Sequence, residues 1–217
     1  MISAMLAYEG KYLTVDFPCT ENVLAELLRE MDAAADIHDM WVHAFVKPLE
    51  FYRLEQQSHN LDELNYLAKR MDSFSDRELR QFYAAMSQEK FYDIPALINL
   101  TFNLNRYTVV QDISSPTRIG VAYAVDQDGV LPANDRDNPR YAAIGKELIA
   151  SGRGILTEHG LLFVHENIPF EKVYDGQVFP AYDYYGNSMA EAAVFYDGKQ
   201  ETLYLPDDSL AIQKAVW

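Results

Sequence analysis

The chain has 217 residues, 49% hydrophobic and 13% aromatic, enough to bury the core of one or two ordinary domains. Thirty-three Asp and Glu against 18 Lys and Arg give a formal charge of −15, which argues against binding a phosphate backbone through clustered basic residues. The longest apolar runs, such as Gly160 to Val164, fall far short of the roughly 20 residues that span a bilayer, and the single cysteine, Cys19, leaves no intramolecular disulfide.

The opening MISAMLAYEGKY lacks a basic segment followed by a long apolar stretch, so a cytoplasmic location is the expectation. Charge is uneven. Residues 1–59 and 166–217 each carry a net −6, while 60–115 and 116–165 carry only −2 and −1.

In chain order, MLAYEGKYLTVDFP reads as two strands about a Glu9-Gly10 turn, with Tyr12, Val15 and Phe17 available to a core. Thr20 caps a helix whose Val23, Leu24, Leu27, Leu28 and Met31 recur at helical spacing. Its acids Glu21, Glu26, Glu30 and Asp32 fall mostly on the other face. MWVHAFV alternates as a strand and stops at Pro48.

Asn60 with Glu63 has the form of a capping box, followed by an apolar stripe of Leu61, Leu64, Leu67, Ala68 and Met71. Ser75 with Glu78 is a second box, and Phe74 with Leu79 has the spacing of a hydrophobic staple. Asp93 caps a third helix that tolerates Pro95 in its first turn. Further on, Asn138, Pro139 and the glycines 152 and 154 bound another helix. A hairpin about His159-Gly160 follows, and two more Asp-Gly turns come at Asp175 and Asp197. The fold class is α+β, with three small units in series. Residues 1–57 make a hairpin, sheet and helix, 58–110 a bundle of short helices, and 111–217 one helix with antiparallel strands, including an acidic β-rich extension over 166–217.

Signals for catalysis are sparse. Cys19 lies beside acids that raise a thiol pKa, so it is a poor nucleophile for His38 or His43. The histidines lack the spacing of a zinc site. DQDG from Asp126 and NDRD from Asn134 hint at calcium but miss the EF-hand spacing, and a polar turn accounts for them better. A metal-dependent hydrolase built on Asp126, Asp128, Asp135 and Asp137 is the enzymatic alternative.

The succession GKYLTVDFP, an acidic helix, IHD, LDELNYLAKRMDSFSDRELRQFYAAM and ALINLTFNL, completed by YAAIGKELIASGRGILTEHG, resembles the ArdA antirestriction family of conjugative plasmids and transposons over roughly residues 8–165. The resemblance implies an elongated, three-domain, usually dimeric protein, neither an enzyme nor a cofactor binder. Its surface carboxylates would imitate DNA phosphates and occupy the DNA groove of type I restriction-modification enzymes, with no direct binding to nucleic acid. The acids of residues 21–39 (Glu21, Glu26, Glu30, Asp32, Asp36 and Asp39) supply one candidate ridge, continued by Glu50, Glu55, Asp62 and Glu63. Two departures stand out. The family tends to have an acid-rich helix where this chain reads IGVAYAVDQDGVL, and Glu166 to Trp217 extends past the usual end. An acidic adaptor of a mobile element, binding some other basic protein, is the competing expectation.

Overall fold

The computed structural model describes residues 1–34, 37–128 and 138–180, and gives backbone alone at 128, 191–196 and 199–204. Strands β1 (Ile2–Tyr8) and β2 (Lys11–Phe17) pair antiparallel with Tyr8 opposite Lys11. That register leaves Glu9-Gly10 as a two-residue loop, and both take positive φ (46° and 82°), as a type I′ turn requires. Val15 and Phe17 enter the core, but Tyr12 is 58% exposed. The pleat explains the difference, since a residue three positions from Val15 must point to the opposite face.

Helix α1 (Glu21–Glu30) begins where Thr20 Oγ1 accepts from the Val23 N–H. It lays Leu28 into the core, with Met31 buried just beyond, while Val23 stays 45% exposed. Strand β3 (Asp39–Lys47) pairs with β1 and with the short β4 (Gln57–Asn60), giving one antiparallel sheet in the order β2-β1-β3-β4. A 3₁₀ helix, Leu49–Leu54, connects β3 to β4 and buries Phe51 and Leu54.

The expected boundary at 57/58 falls inside β4, whose last residue, Asn60, accepts from the N–H groups of Asp62 and Glu63 and so caps α2 (Leu61–Asp72). Helix α3 (Asp76–Glu89) opens on a complete Ser75/Glu78 capping box and ends at Lys90 in the left-handed conformation. The Phe74 ring before this cap lies 6.2 Å from that of Phe82. Asp93 caps α4 (Ile94–Thr101) by accepting from Ala96 N–H. Buried Leu61, Leu64 and Leu67 of α2, Phe82 of α3 and Leu97 of α4 supply this region's core.

Strand β5 (Tyr107–Val110) ends the expected helical unit but pairs with β7 (Gly160–Val164), which also pairs with β6 (Ile155–Thr157), in the order β5-β7-β6. The β6–β7 connection is Glu158-His159, one residue earlier than expected, with Thr157 opposite Gly160. Between β5 and β6 stand two helices rather than one, α5 (Pro116–Asp128) and α6 (Pro139–Ser151). Asp126 to Asp128, read as a polar turn, form the last turn of α5; Asn134 to Asp137 lie outside the described residues. Helix α6 keeps the expected ends, with Asn138 as cap and Gly152 left-handed at φ 63°. Val110, Ile119, Leu148 and Phe163 form the core shared by this pair and the sheet.

After β7 the chain is strapped to α4. Asn103 accepts from Glu171 N–H (2.8 Å) and donates to Glu171 C=O (2.9 Å), and Asn99 Oδ1 accepts from Val173 N–H at 2.7 Å. The chain divides into two compact units, Met1–Val173 and Tyr174–Trp217. Within the second, the expected Asp175-Gly176 turn is a bend over residues 176–178 with Gly176 at φ 93°, and no strand flanks it among the described residues. Strands β8 (Glu191–Tyr196) and β9 (Lys199–Tyr204) pair with Tyr196 opposite Lys199; the Asp197-Gly198 turn lies outside the described residues.

Candidate functional site

The ten acids singled out in the sequence fall into three groups. Glu21, Glu26 and Glu30 on α1, and Asp39 at the start of β3, are exposed and make no hydrogen bond or ion pair among the described residues. Asp32 and Asp62 are also exposed but partnered, Asp32 by Lys11 and Asp62 by His38 Nδ1 at 2.8 Å. Glu50, Glu55 and Glu63 are half-buried. Glu55 Oε1 accepts from the Phe45 N–H at 2.9 Å and so serves the sheet, and Glu63 lies in the first turn of α2, where a negative charge suits the helix dipole. Asp36 lies outside the described residues.

Of the alternative carboxylate set, Asp126 alone has a described side chain. Asp135 and Asp137 lie outside the described residues, and no cluster of three or more metal-ligating side chains occurs among the described ones. Asp126 is already engaged: it pairs with Arg77 Nη2 (2.6 Å), accepts from Gln81 Nε2 (3.4 Å) and accepts from the Thr108 hydroxyl. Thr108 in turn lies 2.9 Å from His165 Nε2, which also meets the Gln127 amide at 3.0 Å. Burial lowers the His165 pKa against the opposing pull of Asp126. The ring therefore stays neutral at pH 7 and bridges Thr108 and Gln127 through Nε2. Thr108 is wholly buried, so its hydroxyl is no nucleophile; the cluster ties α3, α5, β5 and the residue after β7 together. Beside it lies a cleft of about 550 Å³ bordered by Ser75, Asn105 and Ile168.

Burial likewise raises the Cys19 pKa, although Lys69 opposes the shift, and the Cys19 N–H and C=O are both held by the Asn65 amide. The thiol is not activated.

No family model matches the sequence, and no curated protein matches it.

A second, larger cleft of about 710 Å³ lies between the 3₁₀ helix Leu49–Leu54, α3 and the β6–β7 turn. Tyr83 and His159 stack along it at 5.5 Å with an interplanar angle of 29°, and Glu50 lies 3.8 Å from His159 Nε2. Neither the Tyr83 hydroxyl nor the His159 ring makes a hydrogen bond among the described residues. Burial, and then the charge of Glu50, push the Tyr83 pKa up to about 12, so the phenol stays protonated. Leu54, Met86, Phe91 and Leu156 supply the apolar lining. Glu50 was legible as a ridge acid, but no sequence signal joins Tyr83 to His159, which are far apart in the chain and meet only through the fold.

Proposed function

We propose that this chain is a DNA-mimic antirestriction protein of the ArdA type. It would present surface carboxylates to the basic DNA groove of a type I restriction-modification enzyme in the cytoplasm, as an elongated dimer and without a cofactor. The observation that carries the reading is α1, whose Glu21, Glu26 and Glu30 are exposed and unpaired among the described residues while Leu28 secures the helix to the sheet. Glu26 and Glu30 stand one turn apart, about 6 Å along the axis, so one enzyme groove can engage both.

Charge density limits what α1 does alone. Duplex DNA over the roughly 15 Å of this helix carries about nine charges. Here three carboxylates stand with one cation, Arg29. Other exposed acids, Asp39 and the partnered Asp32 and Asp62 among them, must supply the remainder. The same sparseness favours, as a second reading, a basic partner other than a restriction enzyme.

The test replaces Glu21, Glu26, Glu30 and Asp32 together by Gln or Asn and measures competition with DNA for purified type I enzymes at two salt concentrations. Single exposed contacts count for about 0.2–1 kcal/mol, so the group change is needed to weaken binding tenfold or more and to flatten its salt dependence. Unchanged inhibition and salt slope in a folded variant would remove α1 as the mimic surface.

A further inference from the structure

We propose that the cleft between Leu49–Leu54, α3 and the β6–β7 turn is a receptor for one arginine side chain of a protein partner. The inference rests on the reading that the protein engages a basic partner, and it names a contact which the exposed ridge does not provide.

Three polar groups converge on this cleft with hydrogen-bonding capacity unspent. Glu50 makes no hydrogen bond among the described residues, since His159 Nε2 stands 3.8 Å away, beyond hydrogen-bond reach. The Tyr83 hydroxyl and the His159 ring have no hydrogen-bond partner among the described residues. Half-buried polar groups left open in this way mark a place where a ligand completes the set. The sign of the ligand follows from the charges. Glu50 and Glu158 border the cleft with one cation among the lining residues, Arg53, whose guanidinium is engaged by tyrosines. Its Nε donates to the Tyr52 hydroxyl at 2.7 Å, and its guanidinium lies 5.4 Å and 6.0 Å from the ring centres of Tyr52 and Tyr92. The open site is therefore acidic, and it takes a cation.

Shape selects the kind of cation. Tyr83 and His159 stack on each other and so leave an outer ring face beside Glu50, the surroundings a planar guanidinium uses best: it stacks on one ring while donating to the carboxylate and the phenol. Leu54, Met86 and Leu156 lie where an aliphatic stem would pack. A lysine ammonium would satisfy Glu50 but make poor use of the ring face. The same pairing occurs inside this protein, where the Arg70 guanidinium lies 4.2 Å over the Phe102 ring. At about 710 Å³ the cleft holds one side chain with neighbouring backbone.

The test is an NMR titration of the isotope-labelled full chain with N-acetyl-arginine methylamide, with the isosteric, uncharged citrulline analogue as control. Saturable shifts are expected in the amides of residues 49–54, 83–88 and 156–159, with a dissociation constant on the order of 1 mM. The citrulline analogue and a Glu50→Gln variant should each bind about tenfold more weakly. Tyr83→Phe, which keeps the ring, should lose roughly two- to fivefold and carries the test if Glu50→Gln does not fold. An equal response to citrulline, undiminished binding in folded Glu50→Gln, or unsaturable shifts centred on Glu21 and Glu26 would overturn the receptor. Its failure is separable from that of the mimic reading. If arginine binds as expected but the intact protein inhibits no restriction enzyme, the receptor stands and the mimic falls. If inhibition depends on the α1 acids while arginine is ignored, the reverse holds.

Discussion

Gly120 and Gly145 bring α5 and α6 together backbone against backbone. A Cβ on Gly120 would stand 1.9 Å from the Tyr141 carbonyl oxygen, and one on Gly145 would stand 1.8 Å from that of Pro116. Alanine favours a helix by about 1 kcal/mol over glycine, yet here the added methyl must push two helices apart. Gly120→Ala and Gly145→Ala should each destabilise the protein by about 2 kcal/mol or more, read from the urea midpoint. An unchanged or raised midpoint in either variant would contradict this crossing.

Stability should fall as the pH drops below neutral. Burial, as the largest cause, lowers the pKa of both His59 and His165 from 6.5. The unfolded chain therefore takes up protons first, so the contribution is complete above about pH 6.5 and is lost as pH falls through the folded pKa values. At His59 burial prevails, although the Nε2–H donated to the Leu54 carbonyl at 2.6 Å and the charge of Asp93 both pull the pKa up. Urea unfolding at pH 7.5 and 5.5 should give a lower midpoint at 5.5, and His165→Gln should reduce that difference. A flat profile would show that neither ring resists protonation.

Lys11 offers a test of opposite sign. It pairs with Asp32 at the end of α1, so removing its charge frees a carboxylate beside the unpaired acids of that helix. Under the mimic reading, Lys11→Gln should tighten binding to the enzyme by roughly two- to fivefold at low salt, with the gain shrinking at high salt. Weaker binding would mean that Lys11 itself faces the partner.

The local punctuation of the fold was legible in the sequence. Thr20, Asn60, Ser75, Asp93 and Asn138 cap the helices they were expected to cap, because a cap needs only a short polar side chain a few residues from its N–H. Helix α5 was not legible. Its apolar and small residues lie all round rather than along one stripe, and Gly120, which reads as a break, is the residue that admits α6. The candidate acids could be named but not sorted, since whether a carboxylate is free, like Glu26, or spent on a backbone N–H, like Glu55, depends on strands distant in sequence. The stack of Tyr83 on His159 joins a helix to a hairpin turn, and no local pattern announces it.

Asn103 should control how tightly the segment after β7 is held. Asn103→Ala removes both bonds to residue 171 and the bond to the Asn99 carbonyl, a loss of about 1–3 kcal/mol in a buried setting. Trypsin cleavage at Lys172 should accelerate about tenfold or more while the remainder of the first unit stays protected. Unaltered cleavage would show that the packing of Phe170 against Phe91 suffices to hold the segment.

The amides of Asn99 and Asn103 grip only main-chain groups of residues 171 and 173, leaving the identities of those residues unread. Such a fastening is indifferent to what it fastens. A tail of different composition could be spliced after Phe170 and still be moored to α4, so the sequence beyond the joint is free to diversify in evolution, or to be exchanged by an engineer, while the body that precedes it keeps its shape.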